Sequence, residues 1–470
     1  MRNCPRLVIA GSHSGVGKSS LTLALVAALH QRGLRVQTFK VGPDYLDPGH
    51  LSRVSGRPCY NLDGWMCGHD YVTRLFAERS ADADIAIIEG VMGLYDGSSA
   101  TSLDGSTAQI AAWLQAPVAL VINSHGMARS LAAMVHGYAS FETSITLGGV
   151  IANFCGSESH ATLLDKALQA ANLPPLLGAM RRNALPDMPS RHLGLISATE
   201  TQWSDSIIRQ LSTAAEQYLN LDLLLQQAQN APALPYLAPL LPLKTIADGT
   251  VRLAIARDAA FQFYYQDLFD ALENSGVELR FFSPLDETEL PAECNALYLG
   301  GGYPEEHSAQ LSTNHSMLNS IRNFCNSGHP VYAECGGLIY LSQGLQEEER
   351  RWPFVGILPC WTRMRLRRKR LGYIDVTLQR STLLGVKDTQ VRGHEFHYSE
   401  LCTDPLQKPE WSAAYQVRIN RDGSSHAEGY CCGNVLASYI HLHLASNSQV
   451  LDSFVSALQK KYCAPGNAWC

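Results

Sequence analysis

The chain has 470 residues, 46% of them hydrophobic and 17% charged, and a formal net charge of −6. That length accommodates two or three domains, and the apolar share gives each a core, which excludes a disordered chain. The acidic balance argues against a general nucleic-acid binder, and no apolar run approaches the roughly 20 residues of a membrane span.

The 13 cysteines follow no repeating frame, so they read as reduced thiols of a cytoplasmic protein rather than a disulfide scaffold. Strands are predicted at Leu7–Ala10, Val36–Lys40, Ile85–Glu89, Val118–Ile122 and Gly148–Asn153, with a helix over Ser19–Gln31. Short apolar strands alternating with helices imply a parallel sheet covered on both faces, an α/β fold. Residues 231–250 carry four prolines and no amphipathic period, and are expected to be a linker. The strand–helix pattern restarts with a strand at Arg252–Ala256, a helix at Tyr264–Asn274 and a strand at Leu297–Leu299. Two domains are therefore expected, 1–230 and 251–463.

Between the first strand and the first helix runs GSHSGVGKSS, residues 11–20. Glycines there let backbone N–H groups converge on phosphate, and the helix N-terminus adds positive potential. The ATP-binding candidates are Ser14, Gly15, Gly17, Lys18, Ser19 and Ser20, with Lys18 on the phosphates and the Ser19 hydroxyl on Mg²⁺. The loop departs from the usual spacing in one place: its first glycine is Gly11, and Ser12 stands where the glycine is expected. Strand ends gather ligands in such sheets. The segment KVGPDYLDP (40–48) and the apolar strand ending in Glu89 therefore supply Asp44 and Glu89 as further metal candidates. Asp47, and Asp96 on the loop after Glu89, are substrate-contact candidates; Asp and Pro are also ordinary turn residues.

In the second half, YAECGGLIYL (332–341) has the form of a nucleophile elbow at Cys335. A helix N-terminus is expected to lower the thiol pKa, and the Gly336 amide to stabilise an oxyanion. LGGGYPE (299–305) offers a second donor at Gly301. The base is a histidine from GHEFHYSE (393–400) or SYIHLH (438–443), and spacing does not choose between them. A run of six basic residues, Arg363–Arg370, is either a solvated face or a carboxylate-binding patch.

These motifs, with FKVGPDYLDPGH (39–50), IIEGVMGLYDG (87–97), PSRHLGL (189–195) and AFQFYYQDL (260–268), resemble the cobyrinic acid a,c-diamide synthase family along nearly the whole chain. The resemblance implies a P-loop NTPase-like synthetase domain similar to dethiobiotin synthetase, binding ATP and the corrin, and a class I (triad-type) glutamine amidotransferase domain. It implies Cys335 as nucleophile and His441 as its base. The family's usual glutamate two residues on is His443 here, and Glu395 is the candidate for orienting His441. Lys40, Tyr45 and Leu46 would contact substrate. The implied activity is ATP-dependent amidation of cobyrinate with ammonia from L-glutamine through acyl phosphates, with Mg²⁺ and with no nucleic-acid or membrane partner; a homodimer is left open. Relatives acting on hydrogenobyrinate or nickel-sirohydrochlorin, and cobyric acid synthase, share most motifs. A non-catalytic P-loop switch is the reading from another class, and it predicts a dispensable Cys335.

Overall fold

The first strand, β1 (Arg6–Gly11), has an apolar residue on both sides: Val8 and Ala10 enter one hydrophobic cluster, Leu7 and Ile9 another. A strand buried on both faces needs helices on both. The same division recurs along β2 (Val36–Val41), β4 (Ile85–Gly93), β5 (Val118–Asn123) and β6 (Leu147–Cys155). With β3 (Tyr60–Leu62) and β7 (Leu176–Arg181) they form a seven-stranded sheet ordered β3-β2-β4-β1-β5-β6-β7. Every pairing in it is parallel.

The computed structural model describes residues 4–187, 190–191, 194–195, 203–235, 251–347, 349–365 and 370–460. The chain divides into two compact units, Met1–Leu240 and Leu241–Cys470. The expected linker therefore lies outside the described residues from position 236 onward. In the first unit the helices are α1 (Lys18–Gln31), α2 (Asp47–Ser55), α3 (Gly64–Arg79), α4 (Thr107–Trp113), α5 (Arg129–Phe141), α6 (Glu158–Ala170), α7 (Asp205–Tyr218) and α8 (Leu221–Gln229). Helix α1 buries every residue from Leu21 to Leu29, because α2 and α7 pack over the side turned away from the sheet. A two-residue ladder, β8 (Ser190–Arg191) with β9 (Gly194–Leu195), lies in the PSRHLGL segment.

The second unit opens with β10 (Val251–Ala256), β11 (Phe261–Phe263), α9 (Gln266–Asn274), β12 (Val277–Phe282), β13 (Ala296–Leu299) and β14 (Gly301–Gly302). Helix α9 starts two residues later than the sequence pattern predicts. Tyr264 is held out of it: its hydroxyl donates to the Ala256 carbonyl and accepts from the Gly300 amide. After α10 (Ser308–Thr313) and α11 (His315–Asn326) come β15 (Val331–Glu334) and α12 (Gly336–Leu341). Then follow β16 (Ser342–Glu347), β17 (Arg350–Pro353), β18 (Leu358–Met364), β19 (Arg370–Leu378), β20 (Gln390–His397) and β21 (Ser399–Leu401). The unit finishes with β22 (Ser412–Ile419), β23 (Ser425–Cys432), β24 (Val435–Ser438), β25 (Ile440–Leu442) and α13 (Ser448–Leu458). Its ten-stranded sheet is ordered β12-β10-β13-β15-β24-β23-β22-β19-β20-β25. The half from β12 to β24 is parallel and the rest antiparallel. Strands β17, β16, β18 and β21 form a separate four-stranded sheet. Among the described residues no helix is long and apolar enough to cross a membrane.

Candidate active sites

The first site sits where β1, β2 and β4 end. The loop leaving β1 turns through Gly15 and Gly17, both with left-handed φ near 84° and 83°, and delivers Lys18 to the start of α1. Its displaced first glycine has a packing reason. A Cβ on Gly11 would stand 2.9 Å from Val16 Cγ2, so the loop folds back onto the strand end where the glycine actually is. Asn153, at the end of β6, donates from Nδ2 to the Val16 carbonyl at 2.7 Å and so holds the loop closed. Ser14 and Gly15 are exposed at the loop tip, and Ser20 is half-buried in the first turn of α1.

Strand pairing sets Lys40 of β2 opposite Glu89 of β4. The Ser19 hydroxyl donates to Glu89 Oε1 at 2.6 Å and lies 3.2 Å from Asp47 Oδ2. Lys40 Nζ reaches the same two carboxylates, at 2.8 Å and 2.5 Å. Lys18 Nζ stands 4.0 Å from Glu89 Oε1. Burial pushes Glu89 up from the ordinary carboxylate value. Burial acts on Asp47 too, but the Lys40 charge and hydrogen bond outweigh it and hold Asp47 well below that value. Lys40 is raised for the converse reason, its three acidic neighbours overcoming its burial. Lys18 is lowered, by burial first and then by Lys40.

Asp44 Oδ2 stands 3.8 Å from Lys40 Nζ. Asp44 turns Oδ1 back to accept the amides of Leu46 and Asp47, at 2.9 Å and 3.0 Å, so it shapes the turn; the carboxylates that meet at Ser19 are Asp47 and Glu89. Lys40, expected on substrate, is 2% exposed and lies among the carboxylates. Asp96 Oδ2 accepts from the Gly93 amide at 3.0 Å. Tyr45 and Leu46 are half-buried on the loop before α2. Among the described residues no three His, Cys, Asp or Glu side chains form a metal cluster. A hydroxyl with two carboxylates is nonetheless the donor set Mg²⁺ uses when phosphate and water complete its shell. Glu89 Oε2 is buried with no hydrogen-bond partner, which suits an approaching cation.

The second site is built around the turn from β15 into α12. Cys335 occupies it with φ 47° and ψ −100°, a left-handed conformation costly for any residue but glycine. The turn is held by the Cys335 amide donating to the Ser438 carbonyl at 2.7 Å. The thiol is not lowered as expected. Burial pushes it up, Glu305, Glu334 and Glu395 add to the effect, and only the Gly336 amide at the sulfur opposes it. Helix α12 spans six residues, too short for its N-terminus to outweigh desolvation.

His441 lies on β25 against Gly301: a Cβ on Gly301 would stand 2.5 Å from the imidazole Cε1. The Gly302 amide in turn stands 3.0 Å from where a Gly336 Cβ would be, so β14 brings its backbone to both sides of the site. The two histidine clusters prove to be one feature. His394 pairs with His441 across β20 and β25, and their rings stack with centroids 5.0 Å apart. Glu395 is engaged by His397, Nε2 to Oε1 at 2.8 Å. The carboxylate at His441 Nδ1 is Glu334, at 3.7 Å, a residue the sequence reading passed over. A lone acidic residue inside the buried strand VYAE is the signal that could have found it. His443 is fully buried, 3.4 Å from Asp267 Oδ2, with its ring on Tyr265 at 4.4 Å.

The chain matches two families in order. Residues 7–196 match the CobQ/CobB/MinD/ParA nucleotide binding domain, and residues 252–449 match the CobB/CobQ-like glutamine amidotransferase domain. It is 51% identical to the cobyrinate a,c-diamide synthase of Syntrophotalea carbinolica, over 96% of this chain and 98% of that one. It is 41% identical to the same-named enzymes of Dehalococcoides mccartyi, over 98% of this chain and 99% of that one, and of Leptospira interrogans, over 97% and 99%. The chain belongs to the cobyrinate a,c-diamide synthase family. It is a glutamine-dependent amidating ligase, with a nucleotide-binding domain followed by a glutamine amidotransferase domain.

Of the basic run, residues 366–369 lie outside the described residues. Arg363 and Arg365 both pair with the buried Glu400, at 2.5 Å and 2.7 Å. One further buried acid braces the second site. Glu428 accepts from the Ser438 hydroxyl at 2.6 Å and the Tyr439 amide at 2.8 Å, between the Cys335 turn and His441. Burial pushes it up from 4.5 to about 7. A raised carboxyl favours the fold below its unfolded pKa, and that contribution is lost as pH rises toward 7. Glu428→Gln removes this dependence. Relative to wild type the variant therefore gains stability between pH 5 and 8, on the order of 3 kcal/mol at most. Thermal melts of both proteins at the two ends of that range measure the difference.

Proposed function

We propose that this chain amidates the a and c carboxylates of cobyrinate, using ATP and ammonia taken from L-glutamine. The relatives carry that name over nearly their full length. The observation that carries the reading is the pairing, in one chain, of a strained buried cysteine, its amide bonded to Ser438 three residues before His441, with a phosphate loop whose Ser19 meets two converging carboxylates.

In the amidotransferase domain the Cys335 thiol passes its proton to His441, and the sulfur attacks the side-chain amide carbon of glutamine. The amides of Gly336 and of the Gly301–Gly302 segment receive the oxyanion. The C–N bond breaks, ammonia leaves, and water hydrolyses the thioester to glutamate. A thiol pushed up by burial stays neutral until the base is in place, which limits hydrolysis without purpose. In the synthetase domain a substrate carboxylate attacks the γ-phosphorus of ATP, and ADP departs. Carboxylate is a poor electrophile and acyl phosphate a good one, so ammonia then displaces phosphate to give the amide. Lys18 and the loop amides hold the phosphates. Ser19, Asp47 and Glu89 would hold Mg²⁺, which when bound neutralises phosphate charge. Lys40 fixes both carboxylates, and the loop carrying Tyr45 and Leu46 faces the corrin. The reaction belongs in the cytoplasm; Cys59, Cys155, Cys325, Cys360 and Cys431 are buried free thiols, as a reducing compartment favours.

Mass spectrometry of cobyrinate incubated with ATP and glutamine tests the reading. Two successive losses of about one mass unit, one per acid-to-amide conversion, are expected. Absence of product with either glutamine or ammonia rules cobyrinate out, and hydrogenobyrinate and nickel-sirohydrochlorin are then the substrates to try.

A further inference from the structure

We infer that Glu334, the residue immediately before the nucleophile, is the acidic group that positions His441, in place of the glutamate that triad amidotransferases carry two residues after the histidine. The inference rests on the reading of Cys335 and His441 as the glutaminase pair. At the usual position this chain has His443, fully buried and turned toward Asp267 and Tyr265. Glu334 is 2% exposed, and three donors fix its carboxylate. The Tyr332 hydroxyl reaches Oε1 at 2.6 Å, the Leu442 amide Oε1 at 3.2 Å, and the Tyr298 hydroxyl Oε2 at 3.0 Å. The Leu442 contact ties the carboxylate to the residue next to His441, so β15 and β25 are locked in relative position. Oε2 then stands 3.7 Å from His441 Nδ1. That is longer than a hydrogen bond, and contacts of this kind tighten when substrate binds.

A carboxylate on the Nδ1 side selects the tautomer with its proton there and leaves Nε2 bare to accept the proton from Cys335 Sγ. The imidazolium so formed is stabilised by Glu334 until Nε2 returns the proton to the departing ammonia. Two titratable neighbours, His394 and Glu395, lie on the paired strand β20. Burial, with His441 and His443 adding to it, holds His394 well below the ordinary imidazole value, so it stays neutral on the face of the ring. Glu395 Oε1 lies 2.8 Å from His397 Nε2. A glutamate in sequence with the nucleophile thus does by strand geometry what the missing one does by proximity to the histidine.

The test compares wild type, Glu334→Gln, Glu334→Asp and Cys335→Ala as full-length proteins, with glutamine or ammonium as nitrogen source. Glu334→Gln should lower kcat for glutamine hydrolysis about 10²-fold with KM for glutamine within about threefold. It should also move the acid limb of the pH profile of kcat/KM to lower pH, because the imidazolium has lost its counter-charge. Glu334→Asp should recover part of both. Wild-type kcat with an unmoved acid limb in Glu334→Gln overturns the inference while leaving the Cys335–His441 reading intact. Persistent glutaminase activity in Cys335→Ala overturns that reading instead. Ammonia-dependent amidation, measured alongside, reports folding. If Glu334→Gln loses that too, the His441 tautomer in ¹⁵N-histidine-labelled wild type decides, with His441→Ala for assignment. A proton on Nδ1 supports the inference and a proton on Nε2 overturns it.

Discussion

Cys335→Ala lowers glutamine-dependent amidation by about 10⁴-fold, while amidation driven by ammonium salts stays within about twofold of wild type. The split follows from the two chemistries being separable. In the proposed mechanism Cys335 serves only to release ammonia, and residues of the first unit activate the carboxylate. The alanine keeps the Cβ and the left-handed turn, and the Cys335 amide still reaches Ser438, so the local backbone is preserved. Loss of both activities would mean that the turn, not the sulfur, had been damaged. The same cysteine gives a second readout. Its thiol is raised above the ordinary value by burial and by Glu305, Glu334 and Glu395. In the absence of glutamine, alkylation of Cys335 by iodoacetamide should therefore keep climbing through pH 9, with no plateau. Peptide mass spectrometry after timed labelling separates it from the other cysteines. A plateau near neutrality would mean that His441 already holds the proton in the resting enzyme.

What the sequence made legible was what the backbone itself requires. A phosphate loop needs left-handed residues, so Gly15 and Gly17 had to be glycine, and the loop could be read despite its displaced first member. Strands buried on both sides need unbroken apolar runs, so the parallel sheet was legible from β1, β4 and β5. The antiparallel half of the second unit was not. In β22 the buried Tyr415 and Val417 are separated by the exposed Gln416 and followed by the exposed Arg418, a pattern weaker than an apolar run. The roles of Asp44 and Asp47 were likewise undetermined, because they sit three residues apart on one loop. Which of them meets Ser19 depends on Lys40 pairing opposite Glu89, a contact 49 residues apart in sequence. For the same reason the two histidine clusters looked like rivals. They are cross-strand neighbours, and only the β20–β25 register shows that one site contains both.

Glu89→Gln is expected to abolish amidation with either nitrogen source, by about 10³-fold or more, which separates it from Cys335→Ala. Glu89 closes the ring of Ser19, Lys40 and Asp47, and its second oxygen is buried without a hydrogen-bond partner. The amide replaces an acceptor with a donor facing a hydroxyl and two ammonium groups, so the loss is one of charge rather than of shape. It also costs stability: the buried Lys40 keeps Asp47 but loses an anionic partner, and breaking a buried ion pair typically costs about 3–5 kcal/mol. Reduced activity could then be mistaken for reduced folding. A thermal melt and circular dichroism of Glu89→Gln separate the two, since Lys40 and Asp47 still pair in it. A folded variant that has lost amidation with both nitrogen sources places Glu89 in the phosphate chemistry. A folded variant that keeps amidation overturns that placement.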